Sequence, residues 1–355
     1  MRVAFIAPRF LPYIGGVEIH VSSLARRLSA AGHNVEVITQ EISPVQRADE
    51  VDGVTVRRFP IRLGGDTYPF APGLWSYVAR HARDFDVVHA HSYHGTPVIP
   101  AALAPVRRLV FTPHYLGGGR TAVARAVHVP YRAVGRVLFQ RADRVVCTTA
   151  AEAAMVARDF PNATLKTTII PNGIDAELIS SIPPQDHAGR IILCAGRLEE
   201  YKNTQLVVAA MPFLDQFAKL VIVGDGPAAQ GLVRLAAELG VTSRVELVGA
   251  VKWPDVYGWF RAADIFVTMS ARENYGMTVL EAHVAGAQVV ASDIPAHREL
   301  IAMLGPEAAL VPISAGPAEL AAAIRAAAAS PPRTTHVVPS WDDHVQSLLG
   351  IYSSD

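Results

Sequence analysis

The chain has 355 residues, half of them apolar, and its 32 basic and 32 acidic side chains leave no net formal charge. That length suits two domains of ordinary size, and the apolar half with its positive mean hydropathy fits packed cores and excludes a disordered or collagen-like chain. Two distant cysteines, Cys147 and Cys194, exclude a disulfide scaffold; each sits in a strand-like apolar run and reads as a buried thiol of a reducing compartment.

In chain order, Met1–Ala7 is too short for a signal segment and is followed by Pro8 and Pro12, so it reads as a first strand. No apolar run reaches the roughly 18 residues of a membrane span, and a cytoplasmic protein is expected. Strand-like and helix-like segments then alternate: Val3–Ala7, a helix over about Val17–Ala31, Val35–Thr39, Val54–Phe59, a helix over about Leu74–Arg83, Val87–Ala90, Leu109–Thr112 and Val145–Thr148. Such alternation argues for a parallel sheet with helices on both faces. After Pro171-Asn172-Gly173 and the polar stretch Ser180–Arg190 the rhythm restarts. It runs through Ile191–Ala195, a helix over about Thr204–Met211, Leu220–Val223, a helix over about Gln230–Gly240, Val245–Val248, a helix over about Pro254–Ala262, and Ile265–Met269. Ala318–Ala329 reads as a further helix, ended by Pro331-Pro332. The expected class is α/β, with two Rossmann-like domains at 1–171 and 189–335, a hinge near 172–190, and ligand bound where the carboxyl ends of parallel strands open into a cleft.

The halves differ in charge. Residues 1–180 carry 20 basic against 14 acidic side chains and residues 181–355 carry 12 against 18, an excess of six in each direction. The basic half suits an anionic partner such as a lipid surface or a phosphorylated acceptor. Arg120, Arg125, Arg132, Arg136, Arg141 and Arg144 alternate with Val123, Val127, Val129, Val134, Val137, Leu138 and Phe139, a basic amphipathic region interrupted at Pro130. It reads either as helices packed on the sheet with a solvated basic face or as a peripheral membrane contact.

Candidate chemistry clusters at predicted strand ends. Gly15-Gly16 precede the first helix, where a bare backbone and free helix N–H groups suit a phosphate; a plain glycine turn is the alternative. The spacing is not Gly-x-Gly-x-x-Gly, so the dinucleotide-cofactor fingerprint is missing. Arg197, after Gly196, and Lys202 can neutralise a diphosphate or can form a surface ion pair. Gly224-Asp225-Gly226-Pro227 reads as a turn or as a close approach to a ligand. Glu273 and Glu281 enclose Asn274-Tyr275-Gly276-Met277-Thr278-Val279-Leu280, a loop running into a helix. The free amides there favour an anion, and an exposed Glu281 one turn in would accept from two neighbouring hydroxyls. His89, His91, His94 and His114 lack nearby Cys, Asp or Glu in a ligand pattern. No metal is therefore expected, and His114, after Leu109–Thr112, is best placed for hydrogen bonding at the rim of the cleft.

Gly15-Gly16-Val17-Glu18, Pro171-Asn172-Gly173-Ile174-Asp175, Gly196-Arg197-Leu198 with Lys202, Gly224-Asp225-Gly226-Pro227, and Glu273-Asn274-Tyr275-Gly276 with Glu281 occur in an order that resembles family 4 of the retaining glycosyltransferases. The resemblance spans about residues 1–300. It implies a GT-B architecture and a nucleotide-diphosphate sugar as co-substrate, with no further cofactor. It also implies roles: Glu281 on the ribose, Arg197 and Lys202 on the diphosphate, the amides of Gly16 and of Asn274 to Met277 on phosphate and sugar, Glu273 on sugar hydroxyls, and His114 beside sugar and acceptor. Gly15, Gly224, Tyr275 and Gly276 complete the expected donor site. Ser340-Trp341-Asp342 resembles the family's closing element, so 340–355 is expected to form a helix packing back on the first domain. Met269 replaces a frequent proline, and Leu304–Leu310 replaces a glycine-rich turn.

The expected activity is metal-independent, retaining hexosyl transfer, UDP-sugar favoured as donor, to a hydroxyl of a small-molecule, glycan or lipid-linked acceptor, with no nucleic-acid partner. A nucleotide-sugar epimerase or a non-catalytic nucleotide-sugar-binding protein is the alternative, since fold alone does not choose. A phosphorylase would want a lysine in a cofactor pocket, and Lys166, Lys202, Lys219 and Lys252 offer none. A glycosidase would want two carboxylates flanking one bond, which the spacing of Glu273 and Glu281 does not suit.

Overall fold

The computed structural model describes residues 1–43, 45–64, 69–118, 122–187, 189–215, 218–305, 308–330 and 337–354, with the backbone alone for 122–127. Arg120 and Pro306-Glu307 lie outside the described residues, as does Pro331-Pro332. The chain forms two compact units, Met1–Gly173 with Trp341–Asp355, and Ile174–Ser340. The division falls at 173/174 because Ile174 N–H donates to Pro339 O (2.8 Å) and pairs with Ser340, which ties residues 174–187 to the second unit.

The first unit holds an eight-stranded sheet of β1 (Arg2–Ile6), β2 (Asn34–Glu41), β3 (Arg47–Val51), β4 (Val54–Pro60), β5 (Val87–His91), β6 (Leu109–Thr112), β7 (Arg144–Cys147) and β8 (Thr167–Ile169). Their order is β3-β4-β2-β1-β5-β6-β7-β8. β1 lies inside, with Phe5 opposite Val37 on one side and His89 on the other, so its apolar run is covered on both edges and faces. The expectation of a wholly parallel sheet needs one correction. β3 runs antiparallel to β4 across Asp52-Gly53, both at positive φ (51° and 75°), the two-residue turn that Asp-Gly favours. Charge pairs hold this edge: Arg57 donates to Glu36 at 2.7 Å and the buried Arg58 to Asp49 at 2.8 Å.

The helix Gly16–Ala30 follows β1 and buries His20, Val21, Leu24 and Leu28. The basic region is one helix, Ala122–Arg141, that continues through Pro130 rather than breaking there. The missing N–H and the ring clash with residue i−4 are local costs, and Leu138 and Phe139 bury its later turns in the core. The last helix, Trp341–Ser353, belongs to this unit, burying Trp341, His344, Val345, Leu348 and Tyr352.

The second unit holds a six-stranded, wholly parallel sheet of β9 (Arg190–Ala195), β10 (Ala218–Val223), β11 (Val245–Gly249), β12 (Ile265–Thr268), β13 (Gln288–Ser292) and β14 (Ala309–Val311), in the order β11-β10-β9-β12-β13-β14. The order reverses between β9 and β12, and in doubly wound sheets ligands bind at such a switch point, beyond the carboxyl ends of the strands. Cys147 and Cys194 are free and buried.

Candidate active site

In the second unit, the loops after β9, β10 and β12 meet at that switch point. Gly196 N–H donates to Val223 O (2.9 Å) and Leu198 N–H to Asp225 O (2.9 Å), lacing the first two loops together. Gly224 has φ +135°, and a Cβ there would stand 1.9 Å from Gly196 O. The glycine is therefore demanded by packing between the loops, a role the sequence alone does not separate from approach to a ligand.

Arg197 is left with a largely exposed guanidinium, 3.8 Å from Glu199. Lys202 Nζ donates to Glu273 Oε1 at 2.6 Å, both side chains largely covered. The two residues given separate roles, on diphosphate and on sugar, thus form one ion pair. Arg197 and Lys202, with Gly196, Thr204, Thr268 and Met269, line a small recess beyond the strand ends. Behind it, Asn203 Nδ2 donates to Met269 O (3.0 Å) and Ala271 N–H to Tyr201 O (2.8 Å), fixing the loop after β12 to the loop after β9.

Gly276, at φ +91°, opens the helix Met277–Val284, which no side chain caps. Its start thus keeps the dipole and amides that favour an anion. Tyr275 is buried in the core, so only its backbone is placed for a donor. Under the loop, Ser292 Oγ donates to Ser270 O (2.6 Å), while His297 Nδ1 lies 2.9 Å from Ser292 O. A Cβ on Gly276 would come 3.2 Å from the His297 ring. Ser292 and His297 carried no sequence signal, because they act through the backbone that they support.

Glu281 overturns one expectation. It is buried, not exposed, and Tyr257 O–H donates to its Oε1 at 3.1 Å. Trp253 Nε1–H donates in turn to the Tyr257 oxygen at 3.3 Å. Burial disfavours the carboxylate and raises its pKa to about 7, with the Tyr257 hydrogen bond acting in the opposite direction. The helix places Glu281 one turn from its start on a face that packs against the sheet, which periodicity in a uniformly apolar helix does not reveal.

In the first unit, Gly16 follows β1 as the first residue of its helix, and a Cβ there would meet nothing within 4 Å. A Cβ on Gly15 would meet only the flexible tip of Glu18. Neither packing nor strain at this position demands Gly16. His114 follows β6 at φ +46°, a left-handed conformation uncommon outside glycine. Its loop is anchored by Glu152, whose buried carboxylate accepts from Tyr115 N–H (2.7 Å) and Thr148 N–H (2.7 Å). His114 Nε2 lies 3.4 Å from His91 Nδ1, and its ring stands edge-on to His20. Desolvation, then the neighbouring His344, lowers its pKa to about 3, so it is neutral near pH 7. His20, missed in the sequence, and His91 from the expected histidine run thus join His114, whereas His94 is exposed.

Two doubly wound α/β units with this set of strand-end groups define a glycosyltransferase of GT-B architecture. The whole fold is shared with Anabaena HepE in complex with UDP and glucose (TM-score 0.79, 20% identity, 100% of both chains). It is shared too with sucrose-phosphate synthase from Thermosynechococcus elongatus (TM-score 0.78, 21% identity, 99% of this chain and 98% of that one). Residues 14–178 match the model for Glycosyltransferase Family 4 and residues 175–338 that for Glycosyl transferases group 1, and the chain belongs to glycosyltransferase family 4. A D-inositol 3-phosphate glycosyltransferase from Catenulispora acidiphila is 28% identical over 387 aligned positions, covering 96% of this chain and 91% of the relative.

Proposed function

We propose that the chain transfers a hexosyl group from a nucleotide-diphosphate sugar, UDP-sugar favoured, to an acceptor hydroxyl, retaining the anomeric configuration and needing no metal. The observation that carries this reading is the gathering, beyond β9 and β12, of an exposed Arg197, the Lys202–Glu273 pair, an uncapped helix start and a buried Glu281. Glu281, held by Tyr257, would accept from the ribose hydroxyls. Arg197 and Lys202, with the amides of Asn274 to Met277, would stabilise the diphosphate as charge develops on it. Lys202 reaches the phosphate by sharing its Nζ protons between Glu273 and the ligand, and Glu273 turns its second oxygen to the sugar. Gly16 would admit a phosphate to the first helix, and neutral His114 would hydrogen-bond the sugar. No carboxylate is assigned as a base, so a diphosphate oxygen would help to take the acceptor's proton on the face it leaves, which gives retention.

The HepE complex with UDP supports uracil as the base, and the relatives' name makes inositol 3-phosphate the first acceptor to try among small-molecule, glycan and lipid-linked hydroxyls. The chain would work in the cytoplasm, the exposed Val129, Arg136 and Val137 offering a peripheral contact with an anionic membrane; no helix among the described residues is long and apolar enough to cross one. A thermal-shift screen against nucleotide-diphosphate sugars tests the donor. Ligand at a hundred times its Kd should add about 2.7 kcal/mol to stability, and no shift with any of them would refute the reading.

A further inference from the structure

We propose that Tyr257 is a positioning residue for the donor, itself oriented by Trp253, and that the one-way chain from Trp253 through Tyr257 to Glu281 reserves one oxygen of an ionised Glu281 for the ribose. Resting on the assignment of Glu281 to the ribose hydroxyls, this role adds the device that sets the state in which Glu281 binds them. Trp253 Nε1–H donates to the Tyr257 oxygen at 3.3 Å, and Tyr257 O–H donates to Glu281 Oε1 at 3.1 Å. An indole can only donate, so the Tyr257 oxygen accepts from Trp253 and its single proton is left for Glu281. Glu281 Oε2 takes no hydrogen bond from the described residues and is the oxygen that remains for the ligand.

The helix that carries Tyr257, Val256–Ala262, is firmly seated. Gln185 N–H donates to Gly258 O (3.0 Å), Arg261 donates to Ser180 O (2.7 Å), and a Cβ on Gly258 would stand 3.0 Å from Pro183 O. Tyr257 and Glu281 are both buried, so water competes little for the bond between them. Burial, then the charge of Glu281, raises the Tyr257 phenol well above its usual range, and the hydroxyl therefore keeps the proton it donates.

The chain selects a protonation state. With Oε1 accepting from Tyr257, a neutral Glu281 carries its proton on Oε2 and presents a donor where the ribose needs an acceptor, so two hydroxyls are accepted only once that proton has left. Burial raises the Glu281 pKa to about 7 and the Tyr257 bond opposes burial, which couples donor binding near neutral pH to proton release. The helix Met277–Val284 packs against helices Ala176–Ser181, Val256–Ala262 and Pro295–Leu304 and against β12 and β13, and the two strands carry no ionisable side chain. On and beside those helices, Glu177 is exposed, Asp175 accepts from Leu178 N–H, Arg261 is held by Ser180 O, His297 by Ser292 O and Arg298 by Asp293, while Glu299 acts on Tyr275. His283, two positions along the same helix, lies on another face. The Tyr257 hydroxyl is the group left to tune Glu281.

Calorimetric titration of UDP-glucose into the full chain across neutral pH, in pairs of buffers with unlike ionisation enthalpies, reads affinity and protons released together. The unaltered chain should release about half a proton at a pH equal to the Glu281 pKa, and its affinity should rise through a midpoint near 7. Tyr257→Phe keeps the buried ring and removes the donor, so the midpoint should move up by about one unit, with affinity about tenfold lower on the acid side and within a few-fold on the alkaline side. Trp253→Phe, which frees the Tyr257 hydroxyl to turn, should move the midpoint the same way by less. Thermal unfolding confirms that each variant is folded, and a merely structural role would lower stability or affinity without moving the midpoint. Glu281→Gln is the reference and should bind weakly with no proton release. A midpoint unmoved in Tyr257→Phe, with Glu281→Gln still weakened, would overturn the positioning role alone. Full affinity in Glu281→Gln would overturn it together with the ribose assignment.

Discussion

Replacing Glu281 by glutamine separates a donor-binding role from a structural one, because the two predict opposite signs. A buried carboxylate that accepts from the ribose hydroxyls makes charge-assisted hydrogen bonds worth about 1.5–3 kcal/mol, so donor Kd should rise by roughly 10- to 150-fold. Stability should move the other way. Burial raises the pKa from 4.5 to about 7, so the carboxyl's contribution is fully present below pH 4.5, where it is protonated in both states, and is lost as pH rises through 7. At pH 8 the ionised form costs the fold on the order of 3 kcal/mol, which glutamine removes. Glu281→Gln should therefore melt higher than the unaltered chain at pH 8 and close to it at pH 4. Donor affinity of the unaltered chain should weaken as pH falls below 7, and the substitution should flatten that dependence. Calorimetric titration of UDP and UDP-sugars from pH 6 to 8, with thermal unfolding at pH 4 and pH 8, reads both signs. Unchanged donor affinity with a lowered melting temperature would refute the reasoning and leave Glu281 as a core hydrogen-bond partner of Tyr257.

Arg197→Ala and Lys202→Ala should each lower kcat by about 10- to 1000-fold, the range for removing a group that stabilises leaving-group charge, and EDTA should not lower turnover; loss of activity in EDTA with near-normal mutants would move that task to a metal. Gly16→Ala should leave the melting temperature unchanged or slightly higher, because its Cβ has open space, yet reduce donor turnover; full activity would exclude backbone contact with phosphate there. Gly224→Ala should cost on the order of 3 kcal/mol or more, from positive φ and the clash with Gly196 O, and a normal melting temperature would contradict the loop packing. Anionic liposomes should pull the chain down at low salt and release it at high salt; no co-sedimentation would favour a soluble acceptor.

The strand and helix rhythm was legible because most central strands are apolar runs beside helical periodicity, and β1, β5, β6, β9, β10 and β12 fall within a residue or two of their expected bounds. β3 was missed because Arg47-Ala48-Asp49-Glu50 has no apolar alternation, although Val51-Asp52-Gly53-Val54 carries the hairpin signal. Side-chain partnerships were less legible. Lys202 and Glu273 meet because β9 and β12 are neighbours in the sheet, and His20 reaches His91 and His114 because the first helix carries its ring against theirs at the ends of β5 and β6. Nothing in local spacing reports such adjacency. Glu281 was found by its distance from Glu273, but its burial and its Tyr257 partner depend on what the rest of the second unit packs against it.

The most direct test of the central claim is the configuration of the product. With an α-linked nucleotide-diphosphate sugar and an acceptor found by screening, proton NMR of the purified product should show an α-linkage. His114→Ala should slow its formation without altering that configuration, because His114 is assigned to holding the sugar and not to choosing the face of attack. A β-linked product from the unaltered chain would mean inversion, and would contradict proton transfer through the departing diphosphate.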